Sequence, residues 1–141
     1  MKSIVACLLG MGITLMAADP APGSGPTVKV PPLIAKIPEK SDFFGEWMRG
    51  DGDYRLKIAK TRSANGVTVT YFNPKPINVE SAQFSEQEHT VILTIVLRDE
   101  GYPGSTYRLT FDSSYRILAG AYLMPQSGQQ HQVYFEPAKA K

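Results

Sequence analysis

Two polar stretches of the chain carry the side chains with the clearest capacity for binding chemistry. They supply amide, ammonium, guanidinium, carboxylate and phenol groups, which together can hydrogen-bond a small polar molecule. The set comprises Asn73, Lys75, Asn78, Arg98, Asp99 and Tyr102. The same stretches contain Asn-Pro-x-Pro and Tyr-Pro-Gly, which are typical of turns. The residue types therefore leave two interpretations open, a binding site and simple turn chemistry.

Catalytic and metal-binding chemistry is poorly represented in the rest of the chain. The two histidines, His89 and His131, fall in different predicted elements, so we do not expect them to share a metal ion. Asp51-Gly52-Asp53 lacks the later ligands of a calcium loop and is better explained as a turn. The serines lie outside any Gly-x-Ser-x-Gly motif. We therefore expect a protein that is not an enzyme and that uses no metal and no cofactor.

The elements that position these residues are segments whose apolar side chains recur at every second position. Leu56 and Ile58, for example, alternate with Arg55 and Lys57, a pattern typical of strands with one buried face. An Asn-Gly pair that ends at Gly66 favours a tight hairpin, because such a turn needs positive φ. Strands are predicted at residues 43–49, 53–61, 66–72, 79–84, 90–98, 105–111, 117–124 and 130–136. Their short connections predict an all-β fold, an antiparallel up-and-down barrel of about eight strands.

In such a barrel, successive loops lie at alternating ends. One end is predicted to carry loops 50–52, 73–78, 99–104 and 125–129, and the other end loops 62–65, 85–89 and 112–116. Both polar stretches therefore meet at one end, which we call the 73–104 rim after its loops 73–78 and 98–104. Two tyrosines that alternate toward the interior complete the site. The predicted ligand-binding set is Tyr71, Asn73, Lys75, Asn78, Arg98, Asp99, Tyr102 and Tyr122.

The first predicted strand opens with Gly45-Glu46-Trp47, which resembles the Gly-x-Trp opening of calycins, the lipocalin, fatty-acid-binding and avidin-like barrels. The resemblance implies that Trp47 closes the floor of the barrel. The chain differs from lipocalins because it is short and because its last strand lacks the basic residue that usually stacks on the tryptophan. Structural roles are expected for Gly45 and Trp47 and for the turn glycines Gly66 and Gly104.

Longer motifs resemble a family of small exported bacterial proteins of uncharacterised function. They are Tyr-Phe-Asn-Pro-Lys-Pro-Ile-Asn-Val at residues 71–79, Leu-Arg-Asp-Glu-Gly-Tyr-Pro-Gly-Ser at 97–105 and Leu-Ala-Gly-Ala-Tyr at 118–122. The resemblance covers roughly residues 43–136. It implies a secreted β-barrel and brings no established catalytic residues, so it narrows the fold and leaves the function open.

The N-terminus has the pattern of an export signal. Lys2 is followed by an apolar stretch at residues 4–16, and Ala17-Ala18 offers a cleavage site. Only six residues precede Cys7, the single cysteine, so we interpret it as part of a signal peptide and not as a lipoprotein anchor. Residues 1–18 are therefore predicted to be removed, which leaves no transmembrane segment. The expected location is periplasmic or secreted.

Composition divides the remainder of the chain into three parts. Residues 19–40 hold six of the eleven prolines and are predicted to be an extended linker, 41–137 form the barrel domain, and 138–141 form a tail. The linker is apolar at residues 28–37, and we expect either this segment or a second subunit to cover the apolar outer faces of strands 90–98 and 117–124. The net charge is only +2, which gives no indication of nucleic-acid binding.

The leading functional hypothesis is an exported, non-enzymatic barrel that binds a small, partly apolar ligand at the 73–104 rim. The alternative is a structural or protein-interaction module of the bacterial cell envelope, with an envelope protein or a second copy as partner. A large inward-facing set predicts a mostly filled interior with at most a shallow pocket. The set comprises Trp47, Leu56, Ile58, Val69, Tyr71, Leu93, Ile95, Leu97, Leu109, Phe111, Tyr122, Val133 and Phe135.

Overall fold

The structure, a computed structural model, describes residues 36–139. The predicted signal peptide and most of the predicted linker lie outside the described residues. Within residues 36–139 the chain is all β apart from one turn of 3₁₀ helix, Lys40–Phe43. No helix in this part of the chain has the length and apolar character needed to cross a membrane.

Nine antiparallel strands form the fold of residues 36–139, so the predicted all-β class is confirmed. They are β1 (Gly45–Arg49), β2 (Arg55–Lys60), β3 (Val67–Asn73), β4 (Lys75–Ile77), β5 (Val79–Gln87), β6 (Thr90–Leu97), β7 (Thr106–Asp112), β8 (Ile117–Met124) and β9 (Gln129–Pro137). Eight of them correspond to the predicted strands, and β4 lies within the predicted loop 73–78. Pro76 lies opposite Phe72, between the pairs Tyr71–Ile77 and Asn73–Lys75. Alternate pairs of an antiparallel ladder form no hydrogen bonds, so a proline at such a pair removes no donor that the ladder needs.

The strand order is β4-β3-β2-β1-β9-β8-β7-β6-β5, a meander whose first and last long strands pair through Trp47 with Pro137 and Arg49 with Phe135. The two outermost strands, β4 and β5, follow each other in sequence with only Asn78 between them. They act as one strand that changes partner, pairing with β3 before Asn78 and with β6 after it. The barrel is therefore nearly closed, with an opening between β3 and the later part of β5.

The interior is filled by side chains that alternate inward along the strands. All the residues predicted to point inward are buried, except that Phe111 is half-buried and packs against the core. Further buried side chains come from Phe43, Val67, Ala82, Val91, Tyr107 and Leu118. Burial of this apolar surface is the main source of stability in a domain without disulfides.

The 3₁₀ helix closes the end of the barrel opposite the 73–104 rim, and we call this the 36–44 end. Phe43 is fully buried, and its ring lies against Phe84, with 5.2 Å between ring centroids. Trp47 Nε1 donates a hydrogen bond of 2.8 Å to the carbonyl of Phe43, and its ring meets the Phe111 ring edge-on. These aromatic contacts hold the helix across the barrel opening.

The apolar outer faces of β6 and β8 are only half-buried. Ile92 and Val96 on β6, and Ile117 and Leu123 on β8, are each partly accessible, and β7 lies between the two strands. Of the apolar segment that we expected to cover them, only residues 36 and 37 are described. Ile37 is 60% exposed and lies near Phe84 and Val91 at the 36–44 end. The expected contact of residues 28–35 lies outside the described residues.

Candidate functional site

At the 73–104 rim the polar groups of the predicted site bond to one another. Asn73 Nδ2 donates to the Tyr102 hydroxyl. The backbone N–H of Asn78 donates to the Asp99 carboxylate at 3.0 Å, and the Asn78 side-chain amide donates to its other oxygen. These bonds from Asn78 lower the pKa of Asp99 below its usual value. The contacts fasten the turn between β4 and β5 to the loop between β6 and β7.

The remaining residues of the predicted set are divided between solvent and interior. Lys75 and Arg98 are exposed, and the Arg98 backbone N–H donates to the Asn78 carbonyl at 3.0 Å. Tyr71 and Tyr122 are buried in the barrel. Mutual bonding of this kind is the pattern of turn chemistry, and ligand binding at the 73–104 rim stays a prediction.

Behind the rim, a network of tyrosines and Arg49 fills the barrel. The hydroxyls of Tyr71 and Tyr107 lie 3.1 Å apart, and Arg49 Nη1 donates to the Tyr107 hydroxyl at 3.3 Å. The Arg49 guanidinium stacks 4.7 Å from the centre of the Tyr54 ring. Arg49 Nη2 donates to Asp51 at 2.9 Å, whereas Arg49 Nε lies 2.6 Å from the other Asp51 oxygen without its N–H pointing there. The polar groups at this end of the barrel are thus mostly paired.

The buried tyrosines predict a loss of stability in alkaline solution. Burial raises the pKa of Tyr71 well above its usual value and raises the pKa of Tyr107 to about 12, because the bonds from Tyr71 and Arg49 only partly offset burial. Unfolded tyrosine ionises near pH ~10, so the stabilisation is complete below that pH and is lost as pH rises toward about 12. We expect the free energy of unfolding to fall by about 1 kcal/mol per tyrosine by pH ~11.

Urea melts at increasing pH measure this loss. The control is the double variant Tyr71→Phe, Tyr107→Phe, which removes both hydroxyls and should flatten the pH dependence. A wild-type stability that stays constant up to pH ~11 would contradict the raised pKa values.

The 36–44 end contains a different feature, a groove of about 800 Å³. This volume lies in the range of small-ligand sites. The groove runs between the β2–β3 turn on one side and the end of the β5–β6 hairpin on the other, with residues 37–41 along it. Its apolar lining is Ile37, Pro38, Phe44, Phe84 and Val91. Its charged and polar lining includes Glu39, Lys40, Ser41, Lys60, Glu86, Glu88 and His89.

The groove coincides with the place where the sheet is open. Backbone groups alternate along a strand, and those of Leu97 bond toward β7 whereas the Arg98 N–H bonds toward β5. Every second residue of β6 therefore bonds toward β5, and the residues between them bond toward β7. Ala82, Phe84 and Glu86 lie opposite β6 residues that bond toward β7, so their own N–H and C=O groups point away from β6. Within residues 36–139, no other backbone group forms a hydrogen bond with these outward-pointing N–H and C=O groups. We call this row the open edge of β5.

One ion pair crosses from the 3₁₀ helix to the open edge. Lys40 Nζ lies 2.8 Å from Glu86 Oε1, and the hydrogen bond from Lys40 lowers the pKa of Glu86. Both side chains are exposed, so the pair positions the helix against β5 and adds little to stability.

The turn that borders the groove has an unfavourable backbone conformation. Glu88 and His89 have φ of 44° and 67°, between the paired residues Gln87 and Thr90. A two-residue hairpin with positive φ at both positions favours Asn-Gly, because other side chains crowd the backbone there. Strained residues of this kind often lie at functional sites.

We expect the double variant Glu88→Asn, His89→Gly to be more stable than the wild type by about 1–2 kcal/mol, since it relieves this crowding. Urea melts measure the gain. The control Glu100→Asn removes the same charge from an exposed position without positive φ and should change little. If the double variant is no more stable than the wild type, the conformation assigned to this turn is wrong.

The two histidines do not approach a common site. His89 lies in the β5–β6 turn and His131 is exposed on β9. Across residues 36–139, no three histidine, cysteine, aspartate or glutamate side chains come close enough together to hold a metal ion.

Reasoning from the sequence missed the groove. Ser85 and Gln87 extend β5 beyond its predicted end, but their polar side chains make residues 85–89 resemble a loop. One available signal was the pair Glu88-His89, since a two-residue turn without glycine or asparagine is unusual. Phe84 was a second signal, because a large aromatic beside a polar hairpin requires a covering partner.

Comparisons of the chain with family models, curated proteins and solved structures gave no match. The resemblances to calycins and to the exported bacterial family therefore stay predictions.

Proposed function

We propose that this protein is a non-enzymatic binding module whose site is the groove at the 36–44 end. The observation that supports this proposal is the coincidence of an apolar floor, formed by Phe44, Phe84 and Val91, with the open edge of β5, with which no other described strand pairs. Unpaired backbone groups and apolar surface both gain from a bound partner. The expected occupant is therefore partly apolar.

The groove is a better candidate than the interior or the 73–104 rim. The interior is filled by side chains such as Tyr71, Tyr107 and Phe135, which are almost inaccessible to solvent. At the rim, Asn78 and Asp99 already satisfy each other. A ligand there would have to compete with these internal hydrogen bonds, whereas the outward-facing backbone groups of Phe84 and Glu86 make no backbone hydrogen bond within residues 36–139.

The arrangement of groups in the groove favours binding over catalysis. Ser41 and His89 both line it, but Ser41 Oγ donates to Glu39 Oε2 at 3.2 Å and makes no hydrogen bond with His89. A serine nucleophile needs a base such as histidine within hydrogen-bond reach.

Export to the periplasm or beyond is part of the proposal, and it depends on residues 1–18, which lie outside the described residues.

The proposal is tested by titrating labelled protein with a library of amphiphilic fragments and short peptides, with amide chemical shifts as the readout. We expect the shifts to move at Lys40, Gly66 and Glu88. Shifts confined to Asn78 and Tyr102 would place the site at the 73–104 rim, and the absence of any shift would reject a binding role for the groove.

A matched pair of variants locates the site independently. Lys60→Trp places a bulky ring in the groove, and Lys75→Trp adds the same ring at the 73–104 rim; both lysines are exposed. We expect Lys60→Trp to weaken the binding of the fragments or peptides found in the titration about tenfold or more, and Lys75→Trp to leave their affinity unchanged. The reverse order would contradict the proposal.

A further inference from the structure

We propose that the occupant of the groove is an extended peptide segment of another protein, which adds as a strand to the open edge of β5. This inference depends on the proposed function of the groove. It names the class of partner and the protein groups that recognise it.

The backbone of β5 provides the recognition. Phe84 and Glu86 line the groove, and both direct their N–H and C=O groups away from β6. Residues two apart in a strand are separated by about 6.8 Å, which is the repeat of an extended peptide. An extended chain can therefore pair with both residues, whereas an alkyl chain or a steroid would leave these groups to water.

The opposite side of the groove leaves room for such a chain only near the 36–44 end. Strands β3 and β5 approach each other next to β4, where Tyr71 already pairs with Ile77. Toward the other end, the groove separates Gly66 from Phe84 and Glu86. A peptide of a few residues fits the exposed part of the edge, and a long strand does not.

The side chains along the groove specify the composition of the peptide. Alternate residues of an added strand point to the same side, so one of them meets the apolar floor at Phe44 and Phe84. The β5 side of the groove also carries the carboxylates of Glu86 and Glu88, and only Glu86 has an ion-pair partner in the part of the chain that the structure describes. The expected peptide thus has an apolar residue with lysine or arginine one or two positions away from it.

The test begins with selection of phage-displayed random heptapeptides on the wild-type protein. The most enriched peptides are synthesised, and their affinities are measured by isothermal titration calorimetry. Their affinities are then compared for two variants at one edge position. Glu86→Pro removes the edge N–H without removing a bond to β6, whereas Glu86→Thr keeps the N–H and equally removes the Lys40–Glu86 ion pair.

The expected result is binding that Glu86→Pro weakens about tenfold or more relative to Glu86→Thr, with both variants folded by circular dichroism. N-methylation of alternate peptide residues should abolish binding in one register and spare it in the other, because only one set of N–H groups faces β5. Equal affinity for the two variants, or the same effect from both methylation patterns, would overturn the inference.

Other outcomes separate this inference from the proposed function. If amphiphilic fragments shift the groove resonances but no peptide binds through the Glu86 N–H, the groove function stands and the peptide inference fails. If neither fragments nor selected peptides shift those resonances, both proposals fail. If the protein forms dimers that Glu86→Pro dissociates, the occupant is a second copy of the chain and the inference of a foreign peptide is overturned.

Discussion

Replacing Trp47 with alanine is expected to lower the free energy of unfolding by about 3–5 kcal/mol. The indole is 5% exposed and packs edge-on against Phe111. It also donates to the carbonyl of Phe43, so the variant leaves both a cavity and a buried acceptor without its donor. Because Phe43 holds the 3₁₀ helix in place, we expect the 36–44 end to become less ordered when the bond from Trp47 to Phe43 is lost. Urea denaturation followed by circular dichroism measures the loss.

Trp47→Phe separates the two contributions of the indole. It keeps most of the ring and removes the donor, so we expect a loss of about 1–2 kcal/mol from the unpaired carbonyl and the smaller ring. If the alanine variant loses less than about 1 kcal/mol, the role of Trp47 in closing the barrel is wrong.

The second large effect is expected for Gly120→Ala on β8. A Cβ atom at this position would lie 1.9 Å from the backbone oxygen of Arg108 on the neighbouring strand. The clash can be relieved only by moving β7 and β8 apart, which breaks their ladder at the pair Gly120–Leu109. We expect a loss of about 3 kcal/mol or more, or a failure to fold. Thermal melts and soluble yield report the outcome.

Gly50→Ala is the matched control for this prediction. Its Cβ would lie 2.1 Å from the ring of Tyr134, but that side chain is 44% exposed and can rotate into solvent. We therefore expect a loss of about 1 kcal/mol or less. Similar losses for the two variants would show that the close approach of β7 to β8 at Gly120 is not as described.

The strands could be predicted from the sequence because burial of one face imposes a two-residue repeat that is visible locally. Leu56 and Ile58 show it, and they are buried as expected. The limits of the prediction have physical reasons as well. Strand β4 was missed because Pro76 suggests a loop, and its tolerance of proline depends on register with Phe72, which the sequence does not display.

The candidate site was harder to predict than the fold, because it depends on contacts between distant residues. The amide of Asn78 and the carboxylate of Asp99 were identified as binding groups, but the sequence does not indicate that they bind each other. The groove lies where the chain changes strand partner at Asn78 and leaves the edge of β5 beside Phe84 without a paired strand within residues 36–139. No local pattern encodes a change of partner, so residue types alone do not indicate the groove.

The strand order has a consequence for how the chain assembles. Every neighbouring pair in the order β4-β3-β2-β1-β9-β8-β7-β6-β5 is adjacent in sequence except β1 with β9. Hairpins that form locally thus account for all of the sheet but one seam, where Trp47 meets Pro137. The entropy of closing a long loop is concentrated in that seam, since each local hairpin closes only a short one. We therefore expect the folding rate to respond most to substitutions at the β1–β9 pairing, because formation of this pairing limits the rate at which the barrel folds.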